Sequence, residues 1–283
     1  MEGIKIKTLN EKTEIVVTGA NGFVGSNFVK KINSLDYIGI DKEIQYSKNN
    51  QNLKKIDLTD DEKVKELFEK ISPKIIYHFA ALISPKINQE NPELAKKSHI
   101  DITKNLLENI DDKTHFIFLS TDKVYDGKNE MPDEKSQAKP LWIYGKYKLE
   151  CEKMIKKKTQ RYHIFRLPIL HSVGDKKSAS FIDKTIIDIK QGKQVNVYNN
   201  VYRCYVLLSD LLEILFRAKD NENYGIYNIG TRMMSYYDRI KSICEQNNIR
   251  YKSLLDSVEG KAEPMIQNLD TKKFQDLFSY QLK

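Results

Sequence analysis

Tyr144 and Lys148, in the stretch "YGKYKLE" (Tyr144–Glu150), are four residues apart. On a helix, positions i and i+4 share a face, so the phenol and the ammonium lie near each other. A nearby cation favours the phenolate and lowers the tyrosine pKa, which suits a proton donor to a carbonyl as hydride arrives. A lysine-rich helix with a tyrosine also shows this spacing by accident. Tyr147 stands close by, without a Lys or Arg four residues beyond it. Upstream, "FLSTDKVYDG" (Phe118–Gly127) ends an apolar run in two hydroxyls, Ser120 and Thr121. A hydroxyl at a strand end can hydrogen-bond a substrate carbonyl beside Tyr144, because ligands of parallel sheets bind at the carboxyl ends of strands.

"VVTGANGFVGSNF" (Val16–Phe28) sets Gly19, Gly22 and Gly25 at intervals of three, directly after an apolar run. A strand, a glycine turn and a helix in that order make an anion site. The first helical N–H groups have no partner within the helix, and the helix dipole favours negative charge there. Gly19 then serves the tight turn, Gly22 the approach of backbone to a pyrophosphate, and Gly25 the contact of helix with strand. The glycines alone fit a ligand-free turn equally well. Asp41 lies about 20 residues on, where a carboxylate accepts hydrogen bonds from an adenosine ribose. It also repels a 2′-phosphate, a lean to NAD(H) over NADP(H) that the adjacent Lys42 softens. Asp57, followed by Leu58, is placed to reach the adenine edge, and it serves turn or capping work just as well.

The elements that must hold these groups alternate along the chain. "EIVVTG" (Glu14–Gly19), "DYIGID" (Asp36–Asp41), "LKKID" (Leu53–Asp57), "KIIYHFAA" (Lys74–Ala81), "HFIFLST" (His115–Thr121) and "YHIFRLP" (Tyr162–Pro168) read as strands. Helical patterns fall at Phe23–Ile32, Asp61–Ile71, Pro92–Ile110 and Tyr144–Lys157. The alternation predicts an α/β fold, a doubly wound parallel sheet with helices on both faces. The rhythm breaks after Pro168. Residues 1–168 are expected to form the dinucleotide-binding domain, and 169–283 mainly a small C-terminal substrate-binding region. Segments at about 205–230 return to the first domain. The segment beyond Ile169 carries a helical "SFIDKTIIDIKQG" and a short "KQVNVYN". "YGIYNIG" (Tyr224–Gly230) is one more strand, open to either the sheet or the small region.

Bulk properties set the remaining bounds. The 283 residues are 40% hydrophobic and 30% charged, the composition of a globular protein with a sizeable core. Cys151, Cys204 and Cys244 form no CxxC pair, so reduced buried thiols are expected, with no disulfide framework and no metal site. The first residues carry no apolar leader segment and no run is long enough to span a bilayer, which points to the cytoplasm. The net charge of +8 is spread along the chain, densest in "KMIKKKTQR" (Lys153–Arg161) and interleaved with acids, and nucleic acid is not an expected partner.

Taken together, the chain resembles an extended short-chain dehydrogenase/reductase, closest to the dTDP-4-dehydrorhamnose reductase type of nucleotide-sugar reductases. The matching stretches are "VTGANGFVGSNF", "IIYHFAALISP", "STDKVYDG…MPDE…KPLWIYGKYKLECE", "FRLP", "RCYVLLSDLLEIL", "GIYNIG" and "EPMIQNLDTKKF". The resemblance implies a Rossmann fold and NAD(H) or NADP(H) as cofactor. It implies a nucleotide-sugar substrate, for polysaccharide or glycoconjugate precursors, and a homodimer is one assembly open to the chain. It assigns Thr121, Tyr144 and Lys148 to catalysis, with Lys148 also holding the nicotinamide ribose. Gly19, Gly22, Phe23 and Val24 match the pyrophosphate turn, Asp41 the adenosine ribose, and Ala80, Ala81 and Pro168 the cofactor's inner edge and nicotinamide side. Arg203 matches a position near the sugar nucleotide. Plain packing accounts for Ala80, Ala81 and Pro168 as well, and a surface ion pair for Arg203.

One departure carries information. Retaining 4,6-dehydratases of this group carry Asp-Glu after the Thr, whereas here Asp122 is followed by Lys123. "STDK" also resembles inverting dehydratases in which a lysine takes part, yet the longer insertion with "DG", "MPDE" and "KP" fits the reductase type better. Lys123 stands where many such reductases have an aromatic residue, so it becomes a substrate-contact candidate. Three readings remain: a 4-keto sugar reductase, an epimerase or dehydratase with tightly bound cofactor, and a regulatory subunit that keeps the fold.

Overall fold

The computed structural model describes residues 13–44, 52–178, 180–261, 264–278 and 280–282. The leader expectation concerns residues 1–12, and Glu263 of the tail stretch is likewise outside the described residues. In chain order the first elements are β1 (Ile15–Thr18), α1 (Phe23–Lys31), β2 (Tyr37–Asp41), β3 (Leu53–Lys55), α2 (Asp61–Phe68) and β4 (Ile75–His78). There follow α3 (Pro85–Glu90), α4 (Pro92–Lys96), α5 (Ile102–Glu108), β5 (His115–Thr121), α6 (Ile143–Lys158) and β6 (Tyr162–Leu167).

These six strands and Gly225–Asn228 make a seven-stranded sheet. Its order is Gly225–Asn228, β6, β5, β4, β1, β2, β3. β1 pairs in parallel with both β2 and β4, and the order reverses there, between β1 and β4. Ligands of doubly wound sheets bind at such a switch point, beyond the carboxyl ends of the strands. The central strands are continuous apolar runs because both faces are covered, whereas the edge strand β3, Leu-Lys-Lys, is buried only at Leu53. β1 is buried at every position, and so is β5. On one face Val16, Ile38, Ile76, Phe116 and Phe118 pack with Val64 and Leu67 of α2, Leu106 of α5 and Ile155 of α6. "YGIYNIG" therefore supplies a strand of the main sheet.

Local chemistry starts the helices. Asp60 accepts from the Lys63 N–H at 3.2 Å and caps α2, with Asp61 and Glu62 in the first turn complementing the dipole. Ser84 caps α3, whose first residue is Pro85. The single helix expected over Pro92–Ile110 is interrupted: α4 and α5 are joined by a π-helical turn, Lys97–Asp101. At the end of that turn the His99 carbonyl takes side-chain donors besides the Ile102 backbone N–H. It accepts from Thr103 Oγ1 at 2.7 Å and from the Cys151 thiol at 3.4 Å.

The chain divides into two compact units. Among the described residues, the first comprises those within 13–120, 142–165 and 214–226, and the second those within 121–141, 166–213 and 227–282. Within the second, Ile169–His171 pairs in parallel with Tyr205–Leu207, and Val195–Tyr198 with Leu255–Val258. Tyr202–Arg203 lies between Met234–Ser235 and Ile266–Gln267. The helices Phe181–Lys190 and Tyr236–Gln246 bury Ile182, Ile186, Ile240 and Ile243 against Val197 and Tyr205.

Candidate active site

The glycine turn follows β1. Gly19 has φ +66°, and a Cβ there would lie 2.7 Å from the Ala80 nitrogen, so the end of β4 and the turn approach closely only with glycine. A Cβ on Gly25 would lie 2.0 Å from the Gly19 carbonyl oxygen, which seats α1 on the turn. Gly22 is the N-cap residue of α1, and no side chain caps the helix. There is no acid in its first turn either, in contrast to α2. Phe23 and Val24 open that turn, half-buried. This end of α1 therefore offers backbone donors to an anion.

Asp41 closes the turn from β2. Its Oδ2 accepts from the Asn21 N–H at 2.9 Å and its Oδ1 from the Glu43 N–H at 3.3 Å. Lys42 is exposed. Asp57 is exposed, and its Oδ1 accepts from the Thr59 N–H at 3.0 Å and the Thr59 hydroxyl at 2.8 Å, bonds that hold its carboxyl below the usual range. Its observed work is in the turn. Leu58 puts its side chain into the core, and its carbonyl accepts from Asn105 at 3.0 Å.

A buried hydrogen-bond chain fixes Ala80 beside the turn. The Phe79 and Ala80 N–H groups both donate to Thr18 Oγ1 at 3.2 Å. The Thr18 hydroxyl then donates to His78 Nδ1 at 2.8 Å, which leaves His78 Nε2–H to donate to Thr103 Oγ1 at 3.0 Å. His78 is neutral, its pKa pushed well down by burial first and by the Lys148 charge second. Ala80 and Ala81 are half-buried.

Tyr144 and Lys148 share a face of α6 as their spacing requires. Lys148 is buried, and its Nζ lies 6.0 Å from the Tyr144 ring centroid and 4.5 Å from that of Phe118. It donates to the Leu119 carbonyl at 2.8 Å. Burial lowers its pKa to about 8. His99, on the π turn, packs its edge against Tyr144 with centroids 5.5 Å apart. Asn88 donates to the Leu82 and Ser84 carbonyls, both at 2.7 Å, so its Oδ1 faces His99. His99 Nε2–H then donates to Asn88 Oδ1 at 3.0 Å and Leu82 O at 3.2 Å, which fixes the tautomer. Burial, helped by Lys148, lowers its pKa to about 3. His78, His99 and Asn88 are groups at the site that sequence reasoning missed. The one signal available was polar residues inside apolar runs.

Of the two strand-end hydroxyls, Ser120 belongs to the first unit and donates to Glu152 Oε1 at 2.5 Å. Thr121, buried, begins the second unit. Its Oγ1 accepts from the Lys123 N–H at 3.2 Å and caps the short turn Asp122–Val124. The Lys123 ammonium donates to Gln267 Oε1, and Gln267 Nε2 donates to the Asp122 carbonyl at 2.8 Å. Burial lowers the Lys123 pKa, with Asp122 opposing and Arg203 assisting. Arg203 is buried too. Its guanidinium donates to the carbonyls of Tyr202 at 2.7 Å, Met265 at 2.9 Å and Pro264 at 2.7 Å, and stands over the Tyr236 ring. Pro168 is buried, with its Cγ 3.4 Å from where a Cβ on Gly230 would sit.

Cys151, Cys204 and Cys244 are buried free thiols. Among the described residues no group of three His, Cys, Asp or Glu side chains could hold a metal ion. Among them no helix is long and apolar enough to cross a membrane.

A reversed parallel sheet with an uncapped, glycine-turned helix after its first strand defines a dinucleotide-binding α/β protein. Residues 15–230 match the model of the NAD dependent epimerase/dehydratase family, and the chain belongs to that family. It is 26% identical over 276 residues to methionine adenosyltransferase 2 subunit beta of Xenopus tropicalis, covering 93% of this chain and 81% of that protein. It is 25% identical over 290 residues to ADP-L-glycero-D-manno-heptose-6-epimerase of Brachyspira hyodysenteriae, covering 92% and 90%. Among solved structures, it is similar to dTDP-4-dehydrorhamnose reductase of Bacillus anthracis in complex with NADP, with a TM-score of 0.82, 22% identity and coverage of 96% and 94%. UDP-glucose 4-epimerase of Thermotoga maritima with UDP-glucose gives a TM-score of 0.80 at 23% identity, covering 95% and 94%.

Proposed function

We propose that this protein reduces the 4-keto group of a nucleotide-activated deoxysugar with NAD(P)H. The observation that carries the reading is the buried Lys148 ammonium, 6.0 Å from the Tyr144 ring, in a fold whose first helix begins without a cap. The nicotinamide cofactor, when bound, supplies the hydride. The first turn of α1, with Gly22, Phe23 and Val24, holds the pyrophosphate. Asp41 accepts from the adenosine ribose and disfavours a 2′-phosphate, which leans the protein to NAD(H). Ala80, Ala81 and Pro168 line the cofactor, and Lys148 holds the nicotinamide ribose. Tyr144 gives its proton to the sugar oxygen. The Lys148 charge favours the resulting phenolate. Thr121 orients the carbonyl, and Lys123 and Arg203 contact the sugar nucleotide.

The likeness to a reductase structure and to nucleotide-sugar epimerases supports a sugar-nucleotide substrate. Two other readings have their own support. Lys123 and the epimerase relatives favour a cofactor-retaining epimerase or dehydratase. The relatives named as a subunit of methionine adenosyltransferase favour a non-catalytic subunit. One experiment separates them: incubate the purified protein with NADH or NADPH and a panel of nucleotide 4-keto sugars. Stoichiometric loss of nicotinamide absorbance supports reduction. Sugar conversion without net cofactor loss supports the epimerase or dehydratase, and dinucleotide binding with no conversion of any sugar supports the subunit.

A further inference from the structure

Glu152 lies one helical turn beyond Lys148 on α6 and is 1% exposed. Glutamates are rarely buried so completely without a partner. Ser120 donates to its Oε1 at 2.5 Å. Ser120 is the neighbour of Leu119, whose carbonyl takes the Lys148 ammonium at 2.8 Å. Consecutive residues of β5 thus bond to side chains one turn apart on α6, one through a cation and the other through a carboxylate.

We propose that Glu152 is a positioning residue for Lys148: its carboxylate keeps the lysine charged where burial would neutralise it, and through Ser120 it pins the end of β5 to the helix. The inference rests on the reading of Lys148 as the cation beside Tyr144.

The groups facing Lys148 can be named element by element. α6 presents Tyr144, Cys151 and Glu152; β4 presents His78; the π turn presents His99; β5 presents the Phe118 ring. From β6, Tyr162 faces Glu152, and burial first and that carboxylate second push its pKa up. Both histidines are neutral, because burial drives them down. The Cys151 thiol stays protonated, because burial pushes it up to about 11. Among these groups Glu152 is therefore the carboxylate that offsets desolvation of the ammonium.

The test reads Lys148 directly and needs no substrate, so it fails or succeeds apart from the sugar chemistry. Protein labelled with carbon-13 at lysine is titrated by NMR, with Lys148→Met identifying the resonance. In the wild type Lys148 titrates before the exposed lysines, as Lys123 also does, and the Lys148→Met spectrum tells the two apart. In Glu152→Gln, which keeps the shape and the acceptor, the Lys148 midpoint falls by roughly one pH unit, as loss of a nearby opposite charge requires. Ser120→Ala keeps the carboxylate, removes its hydroxyl donor, and moves the midpoint less far in the same direction. An unchanged midpoint in Glu152→Gln overturns the inference. If that variant does not fold, an unchanged midpoint in Ser120→Ala overturns it as well.

Discussion

Replacing Lys148 by Met removes a charge that the fold buries, so the variant should be inactive and yet more stable at neutral pH. Burial lowers the ammonium from its ordinary 10.5 to about 8. At about 1.4 kcal/mol per pH unit, keeping it protonated costs the folded state about 3 kcal/mol. The attraction of Glu152 is already inside that figure. Loss of the bond to the Leu119 carbonyl takes back about 1 kcal/mol. The net gain is about 2 kcal/mol, or about 4–8 °C in Tm for a chain of this size. The sign follows from the depressed pKa. The cost is fully present below the folded-state value and fades as pH rises through the ordinary lysine range, where the unfolded chain also loses the proton. Urea and thermal unfolding of both proteins, at neutral pH and again above the ordinary lysine pKa, measure it. A variant less stable than the wild type at neutral pH would refute the reasoning, and so would a difference independent of pH.

Gly25→Ala would place a Cβ 2.0 Å from the Gly19 carbonyl oxygen, so it should both lower Tm and abolish NADH binding in a fluorescence titration. Asp41→Asn should improve NADPH binding relative to NADH by roughly tenfold, because a repelling charge is removed from the 2′-phosphate; an unchanged ratio of dissociation constants would show that Asp41 serves only the Asn21 and Glu43 amides. Arg203→Met removes three bonds from a buried guanidinium to backbone carbonyls and should cost about 3 kcal/mol in unfolding experiments. A raised KM with unchanged stability would instead assign Arg203 chiefly to the substrate.

The elements that were legible are those written in short-range patterns. Apolar runs mark the central strands, because a strand covered on both faces has no polar alternation to obscure it; the edges were less legible, Leu53–Lys55 being mostly lysine and Gly225–Asn228 open to either region. The glycine turn was legible because Gly19 and Gly25 meet steric demands within a few residues of themselves. The i,i+4 spacing of Tyr144 and Lys148 carried their shared face. What escaped depends on contacts made far along the chain. The π turn inside Pro92–Ile110 serves a carbonyl that Cys151 reaches from another helix. The neutrality of His78 and His99 comes from burial, which no local pattern shows. Ser120 stands beside Thr121 as a strand-end hydroxyl in the sequence, yet its bond to Glu152 spans 32 positions. Arg203 was open to a surface ion-pair reading, while the fold buries it on the carbonyls of Pro264 and Met265, some 60 positions away.

The central claim is that Tyr144, set beside a buried cation, gives a proton as hydride reaches a nucleotide sugar. Its most direct measurement compares wild type with Tyr144→Phe on whichever nucleotide 4-keto sugar of the panel the wild type reduces, alongside NADH binding by each. The account predicts a fall in kcat of about 10²–10⁴-fold in the variant with the dinucleotide affinity kept. A Tyr144→Phe protein that reduces the sugar at the wild-type rate would contradict it, as would a wild type that binds NADH and leaves every sugar of the panel unchanged.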